Sequence, residues 1–259
     1  MLSDGAQVLQ PRAYDGDLGL GFKSQFAIVN GVKLHFVEGG EGQRTVVLIP
    51  GWPQTWYAWH KIMPDVANTY HVVAVDIRGM GIAYSLAAKH GAQIDKLVVS
   101  EAFIPGVSPT PPMLQPPEKN AGLTQFMFNQ LRDLPEFLVA GREASYLRWN
   151  VEHRAYWPDR VAVDEYIRAY SVPGAMRAGF EYYRAIPLTM HQNQELKKRK
   201  LIMPVLAIGA AFASGETTVA TMKSVSDNVK SKIVAQCGHY IPEECPGEFL
   251  NELMPFLAE

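Results

Sequence analysis

The chain has 259 residues, of which 47% are hydrophobic and 19% are charged, and this composition is enough to build one large α/β domain. Its 24 basic and 26 acidic residues give a net charge of −2, so we expect no nucleic-acid partner. No stretch is long and apolar enough for a membrane span, and the first residues lack the apolar core of a signal peptide. The two cysteines, Cys237 and Cys245, are too few for a disulfide framework. These features predict a cytoplasmic protein with no membrane contact.

The first hundred residues alternate between strand and helix patterns. Asn30-Gly31 lies between two short apolar segments, which is the strongest sequence signal for a β-hairpin. The apolar run at residues 46–49 ends at Pro50-Gly51 and predicts a strand that is buried on both faces. The predicted elements, in order, are strands at 26–29, 33–37 and 46–49, a helix at 56–67, a strand at 72–75, a helix at 80–89 and a strand at 96–100.

A proline-rich segment at residues 105–117 marks a boundary, and residues 121–192 are almost entirely helical and rich in aromatic side chains. The strand pattern then resumes. It consists of a strand at 205–208, a helix at 217–229, a strand at 232–235 and a last helix from Glu243. The sequence therefore predicts an α/β core in two parts, residues 1–104 and 196–259, interrupted by a helical cap at 105–195.

Two polar residues follow predicted strands and are candidates for catalysis. His239 lies after Gly238 at the end of a strand, and Glu101 ends another. In open α/β sheets the reactive crevice lies at the carboxyl ends of the strands. Hydrolysis through a covalent ester needs a nucleophile, a base for water and a group that orients the base. A histidine suits the role of base because its pKa is near neutral. The alternatives are a structural histidine and an acid bonded to backbone amides.

Several segments of the chain resemble one protein family. They are residues 50–60 (Pro-Gly-Trp-Pro-Gln-Thr-Trp-Tyr-Ala-Trp-His), 97–102, 138–143, 180–185 and 237–245. Together these segments resemble, in the correct order, the epoxide hydrolases of the α/β-hydrolase superfamily. The resemblance covers most of the chain after residue 26. It implies an α/β-hydrolase fold with a mostly parallel central sheet and a helical cap.

The resemblance also implies roles for individual residues. Glu101 would hold the ring of His239 and stabilise its cation, and Tyr183 in the cap would donate a hydrogen bond to the epoxide oxygen. Alternatively, Tyr183 is one of many aromatic residues in the core of the cap. Trp52 and Pro53 belong to the oxyanion region. The family has a second ring-opening residue, a histidine, where this chain has Gln125 before Phe126; glutamine donates an N–H but carries no positive charge.

The nucleophile that this chemistry requires is missing from its expected place. A nucleophile elbow needs small residues two positions before and two positions after the nucleophile. No Ser, Cys or Asp of the chain has glycine at both of these flanking positions. The family would have a segment of roughly forty residues between Gly81 and Ile82, the size of a βαβ crossover. Its absence predicts a core sheet that lacks one central strand, and exchange of elements between chains, hence a homodimer, is an expected consequence.

Asp76 is the candidate replacement for that nucleophile. It ends a predicted strand and precedes a turn, although the large side chain of Arg78 crowds the flanking position. The alternative is that Asp76 only binds loop amides at the strand end.

Three functions remain open from the sequence. The first is an epoxide hydrolase that adds water to small apolar epoxides, with aromatic residues such as Trp52 lining an apolar pocket. The second is a catalytically inactive, hydrolase-like protein without the nucleophile. The third is a dehalogenase, which shares the same catalytic logic. We expect no cofactor and no metal, because the chain has neither a Gly-rich dinucleotide motif after a strand nor a metal-ligand cluster.

Overall fold

The computed structural model describes residues 8–9, 21–76, 81–110, 112 and 115–259. The chain divides into two compact units, Met1–Ile77 and Arg78–Glu259. Each unit combines β-sheet with helices, and the α/β class expected from the sequence is confirmed.

The first unit is built on a five-stranded sheet in the order β1-β2-β3-β5-β4. Its elements are β1 (Val8–Leu9), β2 (Lys23–Val29), β3 (Val32–Gly39), β4 (Thr45–Leu48), α1 (Met63–Ala67) and β5 (His71–Val75). The predicted hairpin is confirmed, because Val29 pairs with Val32 across Asn30-Gly31. Both turn residues have positive φ, 51° at Asn30 and 74° at Gly31, as the favoured two-residue hairpin turn requires.

Strand β4 differs from its prediction. It pairs in parallel with β5 as expected, but it is the last strand of its sheet, and Val47 is 54% exposed. The expectation of a strand buried on both faces is therefore wrong for β4, because an edge strand is covered on fewer sides than a central one. The adjacent β5 has β3 on its other side, and its Val72 and Ala74 are fully buried.

The helix predicted at residues 56–67 is two separate pieces. A 3₁₀ segment covers Trp56–Trp59, and α1 starts at Met63 with Pro64 in its first turn. Proline is tolerated in a first turn but not in a helix interior, so one continuous helix through Pro64 was the wrong prediction. The side chain of Thr55 accepts a hydrogen bond from the backbone N–H of Tyr57 and caps the 3₁₀ segment.

The second unit is built on a three-stranded, fully parallel sheet in the order β6-β7-β8. Its elements are α2 (Ile82–Lys89), β6 (Leu97–Ser100), α3 (Pro117–Ala121), α4 (Thr124–Phe128), α5 (Leu134–Val139), α6 (Glu143–Glu152), α7 (Val163–Tyr170), α8 (Ala175–Arg184), α9 (Ile186–Leu196), β7 (Val205–Ala210), α10 (Gly215–Val225), β8 (Val229–Val234), α11 (Ile241–Glu244) and α12 (Pro246–Ala258). All six residues of β7 are buried, which explains its continuous apolar sequence. The predicted helix at 217–229 was too long, since α10 ends at Val225 and Val229 already begins β8.

The described strands form two sheets instead of one continuous sheet. Strand β4 ends the first sheet, and β6 ends the second. The expectation that the core sheet lacks one central strand stays a prediction.

The described part of the chain between β6 and β7 contains the helices α3 to α9, in agreement with the helical pattern of residues 121–192. Their buried side chains include Leu147, Val151, Tyr166, Phe180 and Tyr183. The sheet of this unit has its own core, in which Tyr84 and Met222 pack with Val205 and Ala207. Among the described residues, no helix is long and apolar enough to cross a lipid bilayer.

The two cysteines form a disulfide, which was not expected from the sequence. Cys237 and Cys245 are joined, with 6.3 Å between their Cα atoms, a separation within the normal range for disulfides. Eight positions apart in sequence, they meet because the chain turns back between β8 and α12. Disulfides persist mainly in oxidising compartments, so the cysteines no longer support the cytoplasmic location expected from the sequence.

We predict that Leu147→Ala lowers the free energy of unfolding by about 2–5 kcal/mol, because the side chain is fully buried in α6 and its truncation leaves a cavity. The matched variant Leu188→Ala, at a position 61% exposed in α9, should change it by less than about 0.5 kcal/mol. Urea unfolding of both variants measures the difference, and equal losses would contradict the packing described for the helical segment.

Candidate active site

Glu101 is held rigidly at the carboxyl end of β6. Its backbone N–H donates to the carbonyl of Ile208 at 3.1 Å and extends the strand ladder by one residue. Its carboxylate accepts hydrogen bonds from the backbone N–H groups of Ala210, at 2.7 Å, and Ser214, at 2.8 Å. The side chain is only 2% exposed. The acid therefore does bind loop amides, as one alternative from the sequence proposed.

The backbone of Glu101 has a φ of 48°, in the left-handed region. A residue with a Cβ pays a steric cost there, and such conformations persist where the surrounding structure fixes them. At Glu101, the two hydrogen bonds from backbone amides to the carboxylate hold the residue in this conformation. Residues in this conformation are concentrated at functional sites.

The same carboxylate faces His239. Nδ1 of the imidazole lies 3.5 Å from Oε2 of Glu101, and the histidine side chain is 19% exposed. The sequence predicted this pair, and the structure brings the two residues together. The backbone N–H of His239 donates to the carbonyl of Arg154 at 2.9 Å, which ties the histidine loop to the end of the α6 region.

The other nitrogen of the ring contacts a cation that sequence reasoning missed. The guanidinium of Arg154 donates from Nη2 to Nε2 of His239. Because a guanidinium only donates, Nε2 must carry the lone pair and Nδ1 the proton. The imidazole is thus neutral, with its N–H toward Glu101. Burial, and next the charge of Arg154, lower the pKa of His239 below its ordinary 6.5, while Glu101 raises it in part.

Tyr183 lies in the same group of side chains. It is 1% exposed in α8, and its ring meets the edge of the Phe126 ring with 5.7 Å between centroids. Burial raises its pKa strongly and the charge of Arg154 lowers it in part, so the phenol stays protonated and is a hydrogen-bond donor at neutral pH. Tyr146 is nearby: its hydroxyl donates to Asn129 at 2.6 Å, and burial raises its pKa to about 12.

Gln125 is fully buried and bonds locally. Its side-chain N–H donates to the carbonyl of Gly122 at 3.1 Å, and its Oε1 has no hydrogen-bond partner among the described residues. The adjacent Phe126 contacts Phe103 and Tyr183. Of the predicted cap residues, the structure therefore links Phe126 directly to Tyr183.

Glu244 organises the two loops that carry His239 and Arg154. Sequence reasoning did not single it out, because its only signal was an acidic pair before a helix. Its carboxylate accepts four backbone N–H groups, with N···O distances of 2.6–3.1 Å. Two of these amides, from Gly238 and Tyr240, flank the histidine, and two, from Tyr156 and Trp157, follow the arginine. The side chain is completely buried. This carboxylate fixes both loops at once.

Asp76 lies in the first unit, at the end of β5. Its Oδ1 accepts the backbone N–H of Trp56 at 2.7 Å, and its Oδ2 lies 2.8 Å from Nδ1 of His35. Nε2 of His35 in turn lies 2.8 Å from the hydroxyl of Ser24. Both carboxylate oxygens are engaged, so the bonding to a loop amide that the sequence offered as an alternative is present. A role for Asp76 as nucleophile stays a prediction.

Trp52 and Pro53 also lie in the first unit and are buried. Their role in substrate binding stays a prediction as well. Among the described residues, no group of three His, Cys, Asp or Glu side chains is arranged to hold a metal ion.

Similarity to known proteins in sequence and structure shows the family of the chain. Residues 44–98 match the model of the α/β hydrolase fold. The soluble epoxide hydrolase of Corynebacterium sp. (strain C12) is 25% identical over 90% of this chain and 96% of its own length. The sequence of Cfl2 from Burkholderia cenocepacia is 33% identical. Its crystal structure superposes with a TM-score of 0.87, and the match covers 93% of this chain and 97% of the Cfl2 chain. The chain belongs to the epoxide hydrolase family of α/β hydrolases.

One more solved structure, and the length of the Corynebacterium alignment, bear on this epoxide hydrolase-like chain. The Cif epoxide hydrolase from Acinetobacter nosocomialis shares its fold, with a TM-score of 0.83 at 23% identity. The alignment with the Corynebacterium enzyme spans 279 positions, more than the 259 residues of this chain. That relative therefore has residues without a counterpart here.

We predict that Arg154→Gln raises the pKa of His239, because removal of a nearby positive charge makes the imidazolium less unfavourable. Glu101→Gln should lower it further, since a stabilising negative charge is lost. An NMR titration of the His239 ring protons measures both shifts. Arg148→Gln, an exposed arginine of α6 paired with Asp164, is the matched control and should leave the titration unchanged.

We also predict that Glu244→Gln lowers the free energy of unfolding by about 3 kcal/mol, because one carboxylate oxygen becomes an N–H donor that faces buried amides. Glu248→Gln, at an exposed position of α12, should cost less than about 0.5 kcal/mol. Denaturant unfolding provides the comparison. Similar values for the two variants would show that Glu244 does not hold the loops.

Proposed function

We propose that this chain acts on small apolar epoxides as an epoxide hydrolase, with His239 as the base that activates water. The observation that carries the proposal is the array Glu101–His239: a buried carboxylate, fixed by two backbone amides at a strand end, faces the protonated nitrogen of a neutral imidazole. This leaves Nε2 as the nitrogen with a lone pair, which is what a general base for water requires.

The chemistry assigned to each residue follows from its protonation state. Tyr183 donates a hydrogen bond to the epoxide oxygen, where negative charge develops as the ring opens. His239 removes a proton from water, and Glu101 stabilises the imidazolium that forms. The ring of Phe126 beside Tyr183 supplies an apolar wall for the substrate.

The nucleophile is assigned separately. In the covalent route a carboxylate attacks an epoxide carbon, the C–O bond breaks, and the resulting ester is cleaved by the activated water. Asp76 is our candidate for that carboxylate, supported by its place at a strand end and by a backbone amide that polarises one of its oxygens.

A second candidate function is ligand binding without turnover. Arg154 donates to the same Nε2 that would take the proton of water, and while this contact persists the base is blocked. The lack of a nucleophile elbow in the sequence points in the same direction. These observations favour a protein that keeps the site of a hydrolase but not its reaction.

Formation of diol from styrene oxide separates the two functions. If the chain is an enzyme, Tyr183→Phe should lower kcat/KM by about 10²–10³-fold, because one hydrogen-bond donor to the developing oxyanion is lost. Tyr182→Phe, the adjacent and partly exposed tyrosine, should have no effect. Turnover equal to that of His239→Ala would overturn catalysis and support binding alone.

The His239→Ala variant also tests the covalent route, because an ester that forms cannot be cleaved without the base and accumulates. Peptide mass spectrometry after incubation with styrene oxide should find the adduct on Asp76. An adduct at another carboxylate would exclude Asp76 as the nucleophile. Incubation with a chloroalkane in parallel, with measurement of halide release, tests the dehalogenase alternative.

A further inference from the structure

Arg154 has no anionic partner among the residues that the structure describes, although several buried carboxylates lie in the same part of the molecule. No carboxylate of the described residues lies within ion-pair distance of it. The guanidinium donates from Nη2 to the uncharged His239, while its Nη1 is buried and makes no hydrogen bond to the described residues. A buried, unpaired donor costs free energy, and more so when it is charged.

The carboxylates near this arginine are satisfied by neutral donors. Glu101 binds two backbone amides as well as facing His239, and Glu244 binds four amides. Glu243 accepts from the backbone of Ala162 at 2.8 Å and from the hydroxyl of Tyr166 at 2.7 Å. None of these acids is therefore oriented to neutralise the arginine.

Tyr240 supplies a further donor near Arg154. Its hydroxyl is buried without a hydrogen-bond partner among the described residues, and its ring centroid lies 5.7 Å from Cζ of the arginine. The charge of Arg154 acts on Tyr146, Tyr183 and Tyr240 alike. The cluster thus offers hydrogen-bond donors and a positive charge.

We propose that Arg154 is the anchor of an anion subsite, and that the ligand it takes is the carboxylate of a small, largely apolar acid. The carboxylate accepts from Nη1 of Arg154 and displaces its Nη2 from His239, which frees Nε2 of the imidazole. The inference rests on the proposed function for the location of the site, but it concerns binding and does not require turnover.

A carboxylate fits this subsite better than a phosphate does. The planar guanidinium fork matches two carboxylate oxygens, and one guanidinium balances a single negative charge. The surrounding rings of Tyr183, Phe126 and Tyr240 suit an apolar group attached to the acid. Arg154 as a whole is only partly buried while its Nη1 is buried, so a ligand reaches Nη1 when the guanidinium turns away from His239, as the displacement of Nη2 requires.

The experiment compares phenylacetate with phenylacetamide, its neutral isostere, by isothermal titration calorimetry on the full chain. We expect the acid to bind at least about tenfold more tightly than the amide, since a charge-assisted hydrogen bond contributes that much. Arg154→Gln should abolish this preference, Arg154→Lys should retain part of it, and Arg148→Gln should leave it intact. Circular dichroism melting of each variant shows whether it is folded.

NMR of the His239 ring supplies a second measurement on the unmodified chain. Phenylacetate should raise the pKa of His239, because it neutralises the adjacent guanidinium, and phenylacetamide should not. Equal affinity for the two probes, no binding of either, or an unchanged preference in folded Arg154→Gln would overturn the subsite. If diol formation is found while these tests fail, the proposed function stands and the subsite does not.

Discussion

The candidate site depends on one buried carboxylate that touches no substrate. Glu244 gathers four backbone N–H groups from two loops, and those loops carry His239 and Arg154. Backbone amides that point inward need acceptors, and a carboxylate is the strongest one a protein offers. The loops that carry the imidazole and the guanidinium are therefore joined through Glu244 as well as through the hydrogen bond between the two side chains.

The electrostatics of the histidine follow from that arrangement. His239 lies between an anion, Glu101, and a cation, Arg154, in a partly buried place. The carboxylate raises the pKa of the ring because it stabilises the imidazolium. Burial and the guanidinium lower the pKa by more, so the net shift is downward. A neutral ring with a defined tautomer results. This state suits a base, provided that its second nitrogen is released.

Sequence reasoning identified the parts of the site that follow strands. Glu101 and His239 were predicted because parallel strands end at one edge of a sheet. The parallel order β6-β7-β8 places the residue after β6 and the loop after β8 at the same edge. Arg154 was missed because it follows a helix and meets the histidine only through loop–loop hydrogen bonds, which leave no periodic pattern. The exposure of β4 was missed because an apolar run does not reveal whether a strand has one neighbour or two. The disulfide was missed because two cysteines eight positions apart give no sign of how the chain turns between them.

The alignment of β6 with β7 has a chemical meaning of its own. Ser100 pairs with Ile208, and this places the next residue, Glu101, against the amides of Ala210, which ends β7, and of Ser214 in the loop after it. A slip of one residue between these strands would turn every side chain of β6 to the opposite face of the sheet. The acid would then point away from the imidazole although no covalent bond had changed. Correct hydrogen-bond pairing of two short strands is thus a precondition for the contact between this carboxylate and a ring 138 residues further along the chain.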